Sequence, residues 1–182
     1  MNEKEKNSAS KFLSLILRHK PEEIGLQLDE NGWADVNELI ARSATAGKII
    51  SAQDLEEIVV SNDKKRFAYN DDKSKIRASQ GHSIDVELQL EVIKPPELLF
   101  HGTVEKFLPA ITSQGLLKMK RQHVHLSRDR STAEKVGERR GEAIILTVRS
   151  DEMNQDGFIF YQSANGVWLT DHVPAKYIDF QK

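Results

Sequence analysis

Cysteine is absent from this 182-residue chain, which excludes disulfides, thiolate metal sites and a cysteine nucleophile. Proline is sparse, and two of the 5 prolines stand together as Pro95-Pro96. No apolar run nears the ~20 residues that span a bilayer. The stretch from Met1 to Ser8 is polar and of mixed charge, without the apolar centre of a secretory signal. A cytoplasmic location without membrane association is expected. An excess of one charge is lacking as well, with 26 basic against 28 acidic residues and a net charge of −2. Residues 1–94 carry 14 basic and 17 acidic side chains, and residues 95–182 carry 12 and 11. Neither half is a polycation, so a general nucleic-acid coat is excluded. Contact with nucleic acid requires a local patch with a small phosphate footprint. Neither GxGxxG nor GxxxxGK[ST] occurs, which leaves no support for a dinucleotide fingerprint or a P-loop.

The pattern predicts an α+β chain whose organisation changes near Pro95-Pro96. In the first part, Ser8 or Ser10 is placed to cap a helix carrying Phe12, Leu13, Ile16 and Leu17 on one face, ending before Pro21. A short strand is expected at 26–28, leading into an Asn31-Gly32 turn. Asp35 with Glu38, and Ser51 with Asp54, read as the starts of two further helices. Residues 66–69 and 75–78 flank Asn70-Asp71-Asp72 as a hairpin. Helices followed by a hairpin in that order suggest a winged helix, a nucleic-acid-binding architecture by analogy. The second part reads mostly as strands, at 98–100, 124–126, 143–148, 158–161, 167–169 and 177–180. Helices at 105–113 and 131–140 interrupt them, stopped by Gly115 and Gly141.

The chemistry-bearing residues cluster. His101-Gly102-Thr103 and His125-Leu126-Ser127 are both H-x-[TS], each ends an apolar run, and Arg121 precedes the second. Imidazoles, hydroxyls and a guanidinium at neighbouring strand ends suit a phosphate or a nucleotide. His123 and His125 share one face of a strand, and with His101 they would permit zinc. No carboxylate stands at a convincing ligand spacing, so no metal is expected. Arg18-His19 ends the first helix, where the macrodipole favours cations. In Lys64-Lys65-Arg66 the lysines read as solvated, while Arg66 beside Phe67 can turn inward. Gln80-Gly81-His82-Ser83 is a polar tetrad, either a turn or part of a cleft wall. His172 receives no role.

Taken together these residues resemble the tRNA 2′-phosphotransferase family, the NAD-dependent RNA 2′-phosphotransferases. The matching motifs are Ser10 to Ser14, Leu17-Arg18-His19-Lys20-Pro21, Gly32-Trp33-Ala34-Asp35, Lys65-Arg66-Phe67, Ile76-Arg77 and Gln80 to Ser83. Further on come His101-Gly102-Thr103, Arg121 to Ser127, and Asn165-Gly166-Val167-Trp168-Leu169-Thr170. They span nearly the whole chain in the family's order, with no clear departure in the core motifs.

The resemblance implies a winged-helix RNA-binding lobe over residues 1–94 and an ADP-ribosyltransferase-like, NAD-binding lobe over 95–182. It implies an activity in two steps. The RNA 2′-phosphate attacks the nicotinamide ribose of NAD and expels nicotinamide. Transesterification then yields RNA with a free 2′-hydroxyl and ADP-ribose 1″,2″-cyclic phosphate. The catalytic set implied is Arg18, His19, Arg66 and Arg121. The cofactor-binding set is His101, Gly102, Thr103, His125, Ser127, Asp129, Gly166, Val167 and Trp168, with Lys64 and Lys65 as RNA contacts. The expected partners are NAD and an RNA carrying an internal 2′-phosphate, and a monomer is expected. ADP-ribosylation of nucleic-acid phosphate ends is a further activity of the same chemistry. A two-histidine phosphoesterase acting without NAD, and a non-enzymatic winged-helix regulator, remain as alternatives. The first leaves Arg18, His19 and the Gln80 to Ser83 tetrad unexplained, and the near-neutral charge disfavours the second.

Overall fold

Asn2 and Glu5 open the first helix reciprocally. Asn2 Oδ1 accepts from the Glu5 N–H at 2.9 Å, and the Glu5 carboxylate accepts from the Asn2 N–H at 2.8 Å. Helix α1 therefore runs Glu3–Arg18, earlier than a Ser8 or Ser10 cap would place it. The residues that satisfy its first donors lie in the polar segment ahead of the apolar stripe. In the computed structural model, which describes residues 1–62 and 64–180, the chain divides into two units, Met1–Gln89 and Leu90–Lys182.

The first unit continues with β1 (Ala34–Asp35), α2 (Val36–Thr45), α3 (Ala52–Ser61), β2 (Phe67–Tyr69) and β3 (Lys75–Ala78). Asp35 caps α2 by accepting from the Glu38 N–H at 2.8 Å, and Ser51 with Asp54 forms the capping box of α3. The hairpin closes where expected. A third strand joins it, giving an antiparallel sheet of order β1-β3-β2 with Ala34 opposite Ile76 and Phe67 opposite Ala78. The strand expected at 26–28 does not form. The Leu26 N–H is already bonded to the Pro21 carbonyl at 3.0 Å. Asp29 then accepts from the backbone of Asn31 and Trp33, which curls the chain into an Asx turn. Leu13, Ile16 and Leu17 from α1 pack with Leu39, Leu55, Phe67 and Ile76 as one core.

The second unit comprises β4 (Leu99–Thr103), α4 (Leu108–Gln114), β5 (Leu116–Leu117), β6 (Val124–Leu126) and α5 (Arg130–Gly137). It continues with β7 (Ile144–Val148), α6 (Ser150–Gln155), β8 (Phe160–Gln162), β9 (Trp168–Thr170), β10 (His172–Val173) and β11 (Ile178–Phe180). The strands form antiparallel sheets of order β11-β7-β4 and β6-β9-β8, and β10 pairs with β5. Phe100 and Ser127 exchange both backbone hydrogen bonds at 2.8 Å, which ties β4 to the end of β6. Each helix foreseen as continuous is part 3-10, with Glu105–Phe107 ahead of α4 and Glu138–Arg140 behind α5. Leu99, Leu126, Leu146, Val148, Met153, Phe160, Trp168 and Tyr177 belong to a core of this unit's own. The architecture is thus α+β with small antiparallel sheets. No helix among the described residues is long and apolar enough to cross a membrane.

Candidate functional site

In the first unit the predicted cations gather at the C-terminus of α1. Arg18 is its last residue and His19 its C-cap, whose N–H donates to the Leu15 carbonyl at 3.0 Å. Cations are favoured here because the last carbonyls of a helix carry its negative partial charge. His19 Nδ1 lies 2.8 Å from Ser83 Oγ, and the Ser83 N–H donates to the Arg18 carbonyl at 2.9 Å. Beside them His82 is fully buried. Burial first, then the positive Arg18, His19 and Arg77, push its imidazole down to about 4. A neutral ring therefore sits among cations at physiological pH. Arg77 itself stacks on the Trp33 ring at 4.4 Å and donates to the Asn31 carbonyl.

Arg66 directly precedes β2 and is half-buried, with the exposed Lys64 and Lys65 before it. Lys65 adopts a left-handed φ of 40°, unusual for a residue with a side chain. Its carbonyl accepts from Ser79 Oγ and the Arg66 carbonyl accepts from the Ser79 N–H, both at 2.9 Å. Lys64 and Arg66 also line a polar cavity of about 230 Å³ together with Lys6, Ser10, Ser61 and Asn62.

In the second unit His125 is the hub. Arg121 donates through a guanidinium nitrogen to His125 Nδ1 at 3.2 Å, and His101 Nδ1–H donates to the His125 carbonyl at 3.0 Å. Burial lowers the His101 pKa more than its bond to that carbonyl raises it. A neutral His101 with Nδ1–H committed in this way presents the Nε2 lone pair as an acceptor. His125, accepting at Nδ1, presents Nε2–H as a donor when neutral. Arg139 and Arg140 lie close enough to add positive charge around Arg121. An acceptor and a donor on β4 and β6 and a cation just ahead of β6 are thereby fixed together, the equipment for a hydroxyl-bearing anion.

The other predicted residues stand on β4 and β9 or next to the ends of β6, α5 and β9. Gly102 lies in β4 under α5, where a Cβ would come within 1.8 Å of the Ala133 carbonyl oxygen, so helix packing requires the glycine. Thr103 ends that strand and is buried. Ser127 is held by its backbone pairing with Phe100. Asp129 caps α5, with Oδ1 accepting from the Thr132 N–H at 2.7 Å and Oδ2 from the Thr132 hydroxyl at 2.9 Å. Gly166 takes φ 82° in the turn between β8 and β9, with Val167 following. Trp168 is 6% exposed and belongs to the core, and its indole N–H finds no partner among the described residues. His123 packs edge-on against Tyr161 at 5.6 Å. Among the described residues no three His, Asp or Glu side chains converge as a metal site would require.

Sequence reasoning passed over Ser79 and left His82 and Ser83 without roles. Their bonds to Arg66 and His19 join residues far apart in the chain, which no spacing reveals. The signal was the Gln80 to Ser83 tetrad, a polar run following directly on an apolar strand and one of the motifs that carry the resemblance.

Comparison with known proteins extends this picture. The profile of the RNA 2′-phosphotransferase, Tpt1 / KptA family matches residues 4–172. A probable RNA 2′-phosphotransferase of Flavobacterium johnsoniae is 64% identical over 181 residues, covering 100% of both chains. Namesakes in Burkholderia pseudomallei (54% over 172 residues, 94% of each chain) and Streptomyces coelicolor (52% over 171 residues, 94% of this chain and 93% of its own) are similar. The arginines, histidines and strand ends described above thus lie in a chain that belongs to the RNA 2′-phosphotransferase, Tpt1 / KptA family.

Proposed function

We propose that this chain is an NAD-dependent RNA 2′-phosphotransferase that removes an internal 2′-phosphate from RNA. The observation that carries the reading is the family match along residues 4–172, which includes Arg18, His19, Arg66 and Arg121. The order α1, β1, α2, α3, β2, β3 supports a winged-helix RNA-binding lobe. His101 and His125, one accepting and one donating beside Arg121, suit the ribose hydroxyls and pyrophosphate of NAD in an ADP-ribosyltransferase-like lobe.

NAD supplies an electrophilic anomeric carbon for the RNA 2′-phosphate, nicotinamide as leaving group, and the neighbouring ribose hydroxyl that completes the transfer. The phosphate is already ionised at neutral pH, so the first step needs no general base. Arg18 and Arg66 hold and orient it through planar guanidinium forks. Arg121 and the His19 imidazolium stabilise charge as it develops on phosphorus-bound oxygens and on the departing RNA 2′-oxygen. His19 then gives its proton to that oxygen, and the proton that the attacking ribose hydroxyl loses goes to solvent, from which His19 is reprotonated.

The test is a short RNA with one internal 2′-phosphate, incubated with the protein with and without NAD. NAD-dependent dephosphorylation with release of nicotinamide and ADP-ribose 1″,2″-cyclic phosphate is expected. Phosphate loss without NAD would overturn the reading in favour of a two-histidine phosphoesterase. No reaction in either arm would also overturn it and point to ADP-ribosylation of phosphate ends.

A further inference from the structure

Two serines, four residues apart, hold all three members of the proposed catalytic set that the first unit supplies. At one end, the Ser79 N–H donates to the Arg66 carbonyl and the Ser79 hydroxyl to the Lys65 carbonyl, both at 2.9 Å. At the other, the Ser83 N–H donates to the Arg18 carbonyl at 2.9 Å, and Ser83 Oγ lies 2.8 Å from His19 Nδ1. The Arg18 carbonyl is among the last of α1 and has no acceptor role within the helix. Lys65 sits at φ 40°, a conformation that persists only where its surroundings hold it.

Between the two ends, Gly81 turns the chain at φ 88° and His82 is fully buried. The ring of His82 anchors the segment in the unit's interior, while Ser83 stays exposed at the surface.

We propose that residues 79–83 form a brace that positions Arg18, His19 and Arg66 for phosphate transfer, with Ser83 setting the His19 ring and Ser79 the Lys65-Arg66 backbone. The inference rests on the phosphotransferase reading. In the imidazolium both ring nitrogens carry hydrogen. Ser83 Oγ accepts from Nδ1–H, which leaves Nε2–H directed at the phosphate and fixes the ring's rotation about its Cβ–Cγ bond. Without that hydroxyl the ring loses this hold, and the donor to the departing oxygen is less well placed. Both serines are thereby given positioning roles rather than catalytic ones. Both act through a neighbour.

Ser83→Ala, Ser83→Thr and Ser79→Ala in the full chain test this. Ser83→Ala keeps the backbone N–H and, being exposed, should leave the melting temperature unchanged. Its kcat on the 2′-phosphorylated RNA should fall on the order of ten-fold, the usual effect of one lost hydrogen bond to a charged group. KM for RNA should not change, and ADP-ribosylated RNA should accumulate. Ser83→Thr restores the hydroxyl and should restore the rate. Ser79→Ala should lower kcat by a similar factor, with folding checked by its denaturation midpoint. Wild-type kcat in Ser83→Ala or Ser79→Ala would overturn the brace at that end. The ¹⁵N shifts of the His19 ring provide a readout that needs no turnover. They should move in Ser83→Ala and return in Ser83→Thr. Unchanged His19 shifts would overturn the inference even if the wild-type protein proved inactive on this RNA, a result that would count separately against the phosphotransferase reading.

Discussion

At the scale of single residues, His82 makes a pH-dependent contribution whose sign is fixed. Burial, as the main cause, holds its folded pKa down to about 4, against 6.5 for an exposed imidazole. Between those values the unfolded chain takes up a proton that the folded chain does not, so acid favours unfolding. The contribution is complete above about pH 6.5 and is lost as pH falls toward 4, by up to roughly 3 kcal/mol. Urea denaturation at pH 7 and pH 5 should show wild-type stability dropping by about 2 kcal/mol from this group alone. His82→Gln removes the titration and should flatten the difference between the two pH values, whatever its absolute stability. An equal drop in both proteins would mean that the buried ring takes up its proton over the same pH range as in the unfolded chain. The residues at this scale were partly legible. Arg18, His19 and Arg66 could be named from the chain because charged side chains at a helix end or beside an apolar strand stand out. The neutral histidine among them could not, because its state comes from burial and from three cations brought near by folding.

At the scale of elements, legibility followed how local the determining signal was. The Asp35 and Ser51 caps were readable because cap and capped donor lie three residues apart. The start of α1 was misplaced although Asn2 and Glu5 stand at the same spacing. Its first turns carry little apolar pattern, and the stripe that marks the helix begins only later. Helix α6 was missed altogether, since six residues with Met153 as their buried apolar side chain show no period. Gly102 was read as a contact for a ligand. The packing of α5 on β4 gives it a further reason. A Cβ there would lie 1.8 Å from the Ala133 carbonyl oxygen and 2.8 Å from the Gly137 nitrogen, and backbone cannot yield as a side-chain tip would. Gly102→Ala should therefore cost about 3 kcal/mol or more, visible as a large fall in melting temperature. A melting temperature within a few degrees of wild type would show that α5 can slide away from the strand. Asp129, by contrast, serves its own helix through Thr132. Asp129→Ala should cost about 1 kcal/mol of stability in denaturant melts, as loss of an N-cap does. No measurable loss would imply that Thr132 finds another acceptor.

At the scale of the whole molecule, the two cores draw on separate stretches of chain. Each buried residue of the first core lies within Met1–Gln89, and each of the second within Leu90–Lys182. The sequence marked a change of character near Pro95-Pro96 because helix-period segments give way there to short apolar runs. What it could not show is how the strands group. Pairing of β3 with β1, or of β7 with β4 and β11, joins segments that no local pattern relates. The separation of the cores predicts that residues 1–89 produced alone will fold. A domain of that size with its own buried helices and sheet can hold a small positive stability. The expected result is a helical circular dichroism spectrum and a single cooperative urea transition. A disordered spectrum would mean that the first core depends on the second unit for its stability. The fragment would keep Arg18, His19, Arg66 and the 79–83 segment that binds them, so its His19 ring shifts should match those of the full chain. It should also be inactive on 2′-phosphorylated RNA, because Arg121, His101 and His125 all lie in the other unit. Turnover by the fragment alone would remove Arg121 from the catalytic set and place the whole chemistry on the first unit.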